Sequence, residues 1–307
     1  MKNNFAVCIL SYNREKYLDK TLKSFERINF PKKNIYIFDD KSDFVLDRKR
    51  VLNKYKKYNF NINKKKIGLS KNISNIINLK NFDYILLFED HDLIHKNYFK
   101  EIEKILQKEK DISFIVTERL YINDYDQLIK KSIPLYNNLV DGNNYIQNEL
   151  SKINYSHPLC ATIKCSALTK KIIQNTSRFW VYGDIYLWLS LAKNQKVYFC
   201  QKNLYYSRIR ENDHFLDKIE KNMKTIKEVS KIHNFYIKEN PEFDTLNIKF
   251  NFELKKKIKV FYDLVGYRIK NKKKIILKYD SFTNLVSLIL NLIPLFILTQ
   301  IKKIINP

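Results

Sequence analysis

The chain of 307 residues is long enough for one large α/β domain with an appendage. Its composition, with 45% hydrophobic and 14% aromatic residues, excludes an intrinsically disordered polypeptide. A formal net charge of +25 is compatible with an anionic partner, which can be a nucleic acid, a membrane surface or an anionic substrate, but the excess of Lys, Asn and Ile also indicates an AT-rich coding bias.

Short apolar runs alternate with helical patterns over the first 120 residues. The run at 5–10 precedes a segment whose apolar side chains recur with helical spacing, which predicts a buried strand followed by a helix. Further runs of the β type lie at 34–38, 58–62, 83–88 and 111–118. This alternation predicts a parallel sheet with crossover helices, the arrangement of a nucleotide-binding domain.

The pattern is less regular in the rest of the chain. Polar turns, an apolar stretch at 157–163 and a strand at 197–200 lie between about residues 120 and 215. Residues 216–278 have the pattern of two or three lysine-rich helices. We therefore predict a domain at 1–215, a basic helical extension at 216–280 and a membrane-association segment at 281–307.

The final segment is the most apolar part of the chain. Its uncharged core at 285–301 is at the lower limit for a helix that spans a bilayer. Pro294 favours a pair of helices in the membrane interface, beside the adjacent basic cluster; a core helix packed on the first domain is the alternative. Because the N-terminal apolar run is too short for a signal peptide, we expect a cytoplasmic protein held peripherally at the inner face of an anionic membrane.

Polar side chains follow three of the predicted strands. Parallel sheets bind ligands beyond the carboxyl ends of their strands, so these side chains are candidates for a binding site. Two acidic groups at one edge repel each other unless a cation lies between them, which predicts a divalent metal that carries a diphosphate. The residues are Ser11, Tyr12, Asn13 and Arg14 after the first strand, Asp39, Asp40, Lys41 and Ser42 after the second, and Glu89, Asp90, His91 and Asp92 after the fourth.

Four motifs resemble the family 2 glycosyltransferases in content and in order. They are CILSYNR, IFDDKS, KIGLSKN and LLFEDHDLI, and the resemblance covers about residues 5–215. Enzymes of this family are mostly inverting and have the GT-A fold. The resemblance therefore implies an α/β, Rossmann-like, mixed and mostly parallel sheet with flanking helices, to which this chain adds a C-terminal helical appendage. It also implies a nucleotide-sugar donor and an acceptor hydroxyl.

The resemblance assigns nucleotide binding to residues of all four motifs and to one later arginine. The backbone of Ser11 and Tyr12 would hold the base, and Asp40 would accept a hydrogen bond from a uracil-like ring, which favours a UDP-sugar. The implied nucleotide-binding set is Ser11, Tyr12, Arg14, Asp39, Asp40, Gly68, Ser70, Lys71, Asp90 and Arg208.

The metal ligands implied by the resemblance are Glu89, His91 and Asp92. Glu89 and His91 stand at the two carboxylate positions of the family's Asp-x-Asp motif, so this sequence departs from the pattern at His91. A neutral imidazole ligates Mn²⁺ and, less well, Mg²⁺. Asp90 or Asp92 could supply the missing carboxylate. The alternative is a solvated turn in which an aspartate caps the next helix.

Two further candidates lie nearer the C-terminus. Asp184 precedes the apolar helix pattern LWLSLA, and the resemblance identifies it as the general base that deprotonates the acceptor hydroxyl; a helix cap is the alternative. Arg208, together with Arg210 and His214, resembles the segment that closes over the diphosphate, with a solvated run of charge as the alternative.

Three functions are compatible with parts of this pattern. The main hypothesis is an inverting glycosyltransferase that builds a capsule, a lipooligosaccharide or a lipid-linked oligosaccharide. A catalytically inactive member that binds a nucleotide sugar or serves as a scaffold is favoured by His91. A basic nucleic-acid-binding protein does not account for acidic clusters at strand ends, so no nucleic-acid partner is expected. A processive synthase with its own pore would need several spanning helices.

Overall fold

The computed structural model describes residues 3–152, 160–209 and 215–271, together with 286, 289–290, 292–293 and 297–298. The strands are β1 (Phe5–Ser11), β2 (Ile35–Asp39), β3 (Asn59–Ile62), β4 (Tyr84–Glu89), β5 (Leu93–Ile94), β6 (Ile112–Ile122), β7 (Leu128–Lys131), β8 (Leu139–Asp141), β9 (Ala161–Lys164) and β10 (Lys196–Arg208). The α-helices are α1 (Glu15–Arg27), α2 (Arg48–Lys54), α3 (Leu69–Ile73), α4 (Tyr98–Lys108), α5 (Gly142–Leu150), α6 (Lys170–Thr176), α7 (Gly183–Ala192), α8 (Phe215–Glu239) and α9 (Leu246–Asn271).

The strands of the described residues form one mixed sheet. Their order is β3-β2-β1-β4-β9-β6-β10-β5, with β7 beside β6 and β8 beside β10. β3, β2, β1 and β4 are parallel neighbours, and so are β6 and β10. β9 runs antiparallel between β4 and β6. The predicted mixed sheet with flanking helices is present, and each antiparallel pair of the described residues includes a strand from beyond residue 120, where the sequence pattern is less regular.

β1 lies in the middle of the parallel half, and all of its residues are buried. A strand covered on both faces has a continuous apolar run rather than an alternating one, as the sequence FAVCILS shows. α1 buries Leu18, Leu22 and Phe25, which recur at helical spacing. The Phe25 ring meets the Phe88 ring of β4 edge on, with centroids 5.3 Å apart.

The carboxyl ends of β1, β2 and β4 meet at one edge of the sheet. Ser11 is the register partner of Asp39, and Leu10 is the partner of Glu89. Because neighbouring strands lie about 4.8 Å apart, the polar residues that follow these three strands are within reach of one another. The register thus assembles the candidate site.

The chain forms two compact units, residues 1–149 with 155–211 and residues 150–154 with 212–307. In the second unit α8 and α9 bury apolar side chains such as Ile232 and Leu264. The His233 ring of α8 lies 4.5 Å from the Phe252 ring of α9. The predicted division at residues 215 and 280 remains a prediction.

None of the helices in the described part of the chain is long and apolar enough to cross a bilayer. The predicted membrane-association segment lies almost entirely outside the described residues, and so do Arg210 and His214. Its interfacial position therefore remains a prediction.

We predict that Gly142→Ala destabilises the first unit. A Cβ at Gly142 would lie 1.8 Å from the carbonyl oxygen of Ala192 and 2.6 Å from that of Gln195. The amide of Gly142 also donates to the Gln195 oxygen at 2.8 Å, so the backbone cannot move away without losing this bond. We expect a loss of about 3 kcal/mol or more in the free energy of unfolding, measured by urea denaturation.

The control is Asn148→Ala, an exposed position on the same helix, for which we expect a change within about 0.5 kcal/mol. An equal effect of the two substitutions would contradict the steric argument.

Candidate active site

The loop after β1 is bound to Asp90, which follows β4. The Tyr12 amide donates to Asp90 Oδ2 at 3.1 Å. The Arg14 guanidinium donates to Asp90 Oδ1 at 2.8 Å and forms an ion pair with this fully buried carboxylate. The Arg14 side chain is 27% exposed, whereas that of Asp90 is fully buried.

Glu89, His91 and Asp92 form a compact group of potential metal ligands. One atom of each lies within 4.8 Å of the others. His91 Nε2 is 3.9 Å from Glu89 Oε2 and 3.7 Å from Asp92 Oδ1, so the imidazole points between the two carboxylates. His91 Nδ1 faces Asp90 Oδ1 at 3.4 Å.

The charges of this group interact strongly because the group is buried. Burial raises the pKa of Asp92 to about 7; the charge of Glu89 adds to this rise and that of His91 opposes it. Burial alone would lower the pKa of His91, but its bond to Asp90 and the two flanking carboxylates raise that pKa above its usual value. Burial alone would raise the pKa of Asp90, yet His91 and Arg14 hold that pKa below its usual value.

The residues of this group fit a divalent metal. Asp92 Oδ2 is buried and has no hydrogen-bond partner among the described residues. A buried carboxylate oxygen without a partner costs free energy that a cation would offset. Two carboxylates and an imidazole nitrogen suit Mn²⁺ better than Mg²⁺, which prefers oxygen ligands only.

The two aspartates after β2 point to different loops. Asp39 is buried and accepts hydrogen bonds from the amide and hydroxyl of Ser42, at 2.7 and 2.6 Å. Asp40 accepts from the amides of Ile67 and Gly68, at 2.8 and 2.9 Å. Asp39 therefore closes its own turn, whereas Asp40 holds the loop between β3 and α3 against the strand end.

That loop requires a glycine and is linked to α7. Gly68 has a φ of +86°, and a Cβ there would lie 3.0 Å from the indole of Trp180. The buried hydroxyl of Ser70 accepts a hydrogen bond from the Gly183 amide at 2.8 Å. Lys71, by contrast, is exposed in the first turn of α3.

Asp184 is the acidic residue in the first turn of α7, where the helix dipole favours a negative charge. Tyr182 is the N-cap residue of this helix, and Asp184 therefore lies inside the helix rather than at its cap. Its side chain is half-buried. The bond between Ser70 and Gly183 ties the residue preceding Asp184 to the start of α3.

Arg208, at the end of β10, braces the candidate metal loop, residues 89–92. Its amide donates to Asp92 Oδ1 at 2.9 Å, and its buried guanidinium donates to the His91 carbonyl oxygen at 3.0 Å. The same guanidinium binds the Asn123 carbonyl oxygen and pairs with Asp126 in the turn after β6. These protein groups are the partners of Arg208 that the structure shows. A contact of Arg208 with a diphosphate therefore stays a prediction.

Several residues at the edge were not among the sequence candidates. Lys66 lies over the Tyr12 ring, with its Nζ 4.0 Å from the centroid and 2.9 Å from the hydroxyl oxygen. Asn63 donates from its side chain to both Asp40 and Asn72, at 3.2 and 3.1 Å. A search for polar residues directly after the strands does not identify Lys66 or Asn72, because they follow β3 by several residues. Only the folded loop brings them back to the edge.

The family model described as "Glycosyl transferase family 2" matches residues 6–171, more than half of the chain. Two structures of the S. aureus TarS fragment 1–349, one of them titled as a complex with UDP-GlcNAc, match with TM-scores of 0.52 and 15% sequence identity. These matches cover 86% and 88% of this chain, and 80% and 82% of the fragment. A structure of S. aureus TarS matches with a TM-score of 0.51 and 16% identity over 88% of this chain and 49% of that protein. No curated protein sequence matches significantly. The matches confirm the predicted GT-A fold class.

We predict that Mn²⁺ stabilises the protein and that Asp92→Asn removes this response. At a Mn²⁺ concentration 100 times the dissociation constant, binding to the folded state alone adds about 2.7 kcal/mol to the free energy of unfolding. The measurement is thermal or urea unfolding with Mn²⁺ and with chelator. The control is Asp111→Asn, because that side chain is 84% exposed. Equal stabilisation of wild type and Asp92→Asn would place the bound ion elsewhere.

We also predict a pH dependence for the metal-free protein. Since the pKa of Asp92 is raised to about 7 in the folded state, folding retains a proton that the unfolded chain releases above about pH 4. Stability contributed by this group therefore falls between about pH 4 and 7 and is constant above. In chelator, the free energy of unfolding of wild type relative to Asp92→Asn should fall over that window, and a difference independent of pH would contradict the burial argument.

Proposed function

This chain belongs to glycosyl transferase family 2, and on that basis we propose that it transfers a sugar from a UDP-sugar to a hydroxyl group of a surface-glycan or lipid-linked acceptor, with inversion at the anomeric carbon. The observation that carries the proposal is the group of Glu89, His91 and Asp92, of which His91 and Asp92 are buried, with an Asp92 oxygen that has no hydrogen-bond partner in the described part of the chain. A divalent cation in this group would satisfy that oxygen and face a diphosphate.

The donor class is supported by the loops that meet at the sheet edge. Asp40 Oδ2 accepts one amide hydrogen bond, and a carboxylate oxygen has a second lone pair for a uracil ring N–H. Tyr12 and Lys66 lie beside it on the same edge. One of the TarS fragment structures is titled as a complex with UDP-GlcNAc, so UDP-GlcNAc is the first donor to test.

The transfer needs one base and a means of stabilising the leaving diphosphate. Asp184 accepts the proton of the acceptor hydroxyl, whose oxygen attacks the anomeric carbon from the side opposite the nucleotide. Arg14 lies at the strand ends and adds positive charge beside the diphosphate. Glu89, His91 and Asp92 would hold the divalent cation, which supplies further positive charge there when bound. Asp90, held by Tyr12 and Arg14, positions this loop.

We propose that the reaction takes place at the cytoplasmic face of an anionic membrane. The basic residues of α9 support this proposal, because Lys255, Lys256, Lys257 and Lys259 follow one another closely in the second unit. Anionic headgroups attract such clusters by about 1 kcal/mol per basic residue near the surface.

A catalytically inactive protein that binds a nucleotide sugar is the second candidate. It is favoured by His91, whose imidazole replaces a carboxylate and whose Nδ1 lies 3.4 Å from Asp90 Oδ1. This candidate and the enzyme share the donor site and differ in turnover.

We predict that purified protein releases UDP from one UDP-sugar in the presence of Mn²⁺ and that Asp184→Asn lowers the rate by about 100-fold or more while donor affinity is retained. A missing general base reduces proton transfer without removing the nucleotide site. The measurements are release of the corresponding nucleotide from UDP-, GDP-, CMP- and dTDP-sugars, with Mn²⁺ or chelator, and calorimetric donor affinity. Asp111→Asn is the control for the loss of one carboxylate.

An unchanged rate in Asp184→Asn would exclude this residue as the base. Release that persists in chelator would exclude the metal role of the Glu89 group. Donor binding without release, with acceptors present, would establish the inactive alternative.

A further inference from the structure

Helix α9 of the second unit has apolar residues on two of its sides, and one of these sides is exposed. On the first side Ile248 and Phe252 are buried, and the centroid of the Phe252 ring lies 4.5 Å from that of His233 in α8. At about 100° per residue, the second side lies about 160° round the helix from this buried pair. Its residues recur at intervals of four and are 87%, 67%, 44% and 51% exposed: Leu246, Phe250, Leu254 and Ile258.

These four exposed residues, which we call the outer stripe, form a continuous apolar line. Residues four apart are neighbours on one face of a helix, so the stripe extends over about 18 Å along the axis. The outward face of a surface helix is ordinarily polar. Single exposed apolar side chains need no explanation, but a contiguous set indicates contact with another molecule or with lipid.

The charge around the stripe favours one kind of partner. α9 contains seven Lys and Arg residues against two acidic residues, a net charge of +5. Over residues 215–271, which include α8, the numbers are thirteen and eight, so the excess of +5 persists even when every acidic side chain has a basic partner.

This excess distinguishes between two occupants of the stripe. A second copy of the chain would bring two positive faces together, and their repulsion opposes dimerisation through the stripe. An anionic bilayer offers hydrocarbon to the apolar residues and negative headgroups to the lysines.

Lysines border the stripe in the way that a bilayer interface favours. Lys255 and Lys257 are exposed and lie on opposite sides of the apolar line. Glu253 also borders the line, but it pairs with Lys256 at 3.1 Å. Lysine side chains can bury their methylene groups in the interface while the ammonium group stays at the level of the headgroups. The pattern is that of a helix that lies in the plane of a membrane surface.

We propose that the outer stripe of α9 inserts into the interface of an anionic phospholipid bilayer, with the flanking lysines at the headgroups. The inference rests on the membrane location in the proposed function and identifies a surface that makes the contact. It differs from the prediction made from the sequence, which assigns membrane association to the segment 281–307.

The test is co-sedimentation of the 307-residue chain with vesicles of phosphatidylcholine, with or without an equimolar amount of phosphatidylglycerol. We expect wild type to bind the anionic vesicles, and Phe250→Gln/Leu254→Gln to bind them about tenfold more weakly or worse, because two apolar side chains no longer enter the interface. Higher salt should weaken wild-type binding. Glutamine retains helix propensity, so thermal unfolding of this variant should match that of wild type.

The matched control is Ile133→Gln/Leu135→Gln in the first unit, where the two residues are 81% and 61% exposed. It removes a similar apolar area and should change vesicle binding by less than about twofold, since the stripe is intact. Equal weakening by the two pairs would show general adsorption of apolar surface and overturn the proposal. Unchanged binding in Phe250→Gln/Leu254→Gln would also overturn it.

A second measurement reports insertion directly. Phe250→Trp places an indole on the stripe, whereas the native Trp180 and Trp188 lie in the first unit. Phospholipids brominated on their acyl chains quench indoles that reach the acyl region. The variant should therefore show quenching beyond that of wild type in anionic vesicles, and equal quenching would contradict insertion.

A second copy as the occupant gives a different result. The chain would then be a dimer in the absence of vesicles, and Phe250→Gln/Leu254→Gln would be a monomer. Sedimentation equilibrium distinguishes the two states, and a dimer that this variant dissociates would overturn the membrane proposal.

Failure of the stripe and failure of the proposed activity are separable, because nucleotide release is measured without vesicles. Protein that releases UDP but does not bind anionic vesicles retains the activity and overturns the stripe. Protein that binds the vesicles through the stripe but releases no nucleotide retains the stripe and overturns the activity.

Discussion

The ion pair between Arg14 and the buried Asp90 is the interaction on which the candidate site depends. It joins the loop after β1 to the loop after β4, and the Tyr12 amide adds a second bond to the same carboxylate. Removing Arg14 would leave a fully buried carboxylate with fewer partners, which is costly in a low-dielectric interior. Because Asp90 stands between Glu89 and His91, holding it also fixes the side chains on either side.

The neighbouring loops are arranged around this pair by the same means, buried polar side chains that bind the backbone. Asp40 and Ser70 accept from the amides of Gly68 and Gly183, and Arg208 donates to the His91 carbonyl oxygen in the candidate metal loop. Four segments far apart in the chain are thereby fixed at one edge of the sheet. An enzyme that must position a sugar nucleotide and an acceptor needs such a rigid edge, since small displacements of reacting groups lower the rate strongly.

Charge is divided between two places in the first unit. At the strand ends, acidic groups are buried close together, and burial raises the pKa of Asp92 to about 7. Between β6 and β7, Arg119 and Lys130 both lie against the Tyr121 ring, whose electrons stabilise nearby cations. The first arrangement is unfavourable alone and is relieved by a cation.

The parallel strands and the residues that follow them could be predicted, because both depend on local patterns. A fully buried strand has a continuous apolar run, and β1, β2 and β4 each have one, so the polar residues from Ser11 to Arg14 and from Glu89 to Asp92 were found at their ends. The direction of β9 was not predicted, because a short apolar segment reads the same in a parallel and an antiparallel sheet. The sequence also did not predict which loops Asp39 and Asp40 bind, since adjacent residues can point to different partners.

The sequence by itself determined the family, the five longer strands of the first 120 residues, and the sheet edge at which the candidate site lies, but it missed the two-residue strand β5. Only the tertiary structure decided that Asp92 has an oxygen without a partner in the described residues, that Arg208 faces the metal loop, and that Arg119 and Lys130 converge on one ring. The physical reason is the range of the forces involved. Periodicity and turn chemistry act between residues a few positions apart, whereas burial and charge at a site depend on strand register between residues up to 117 positions apart.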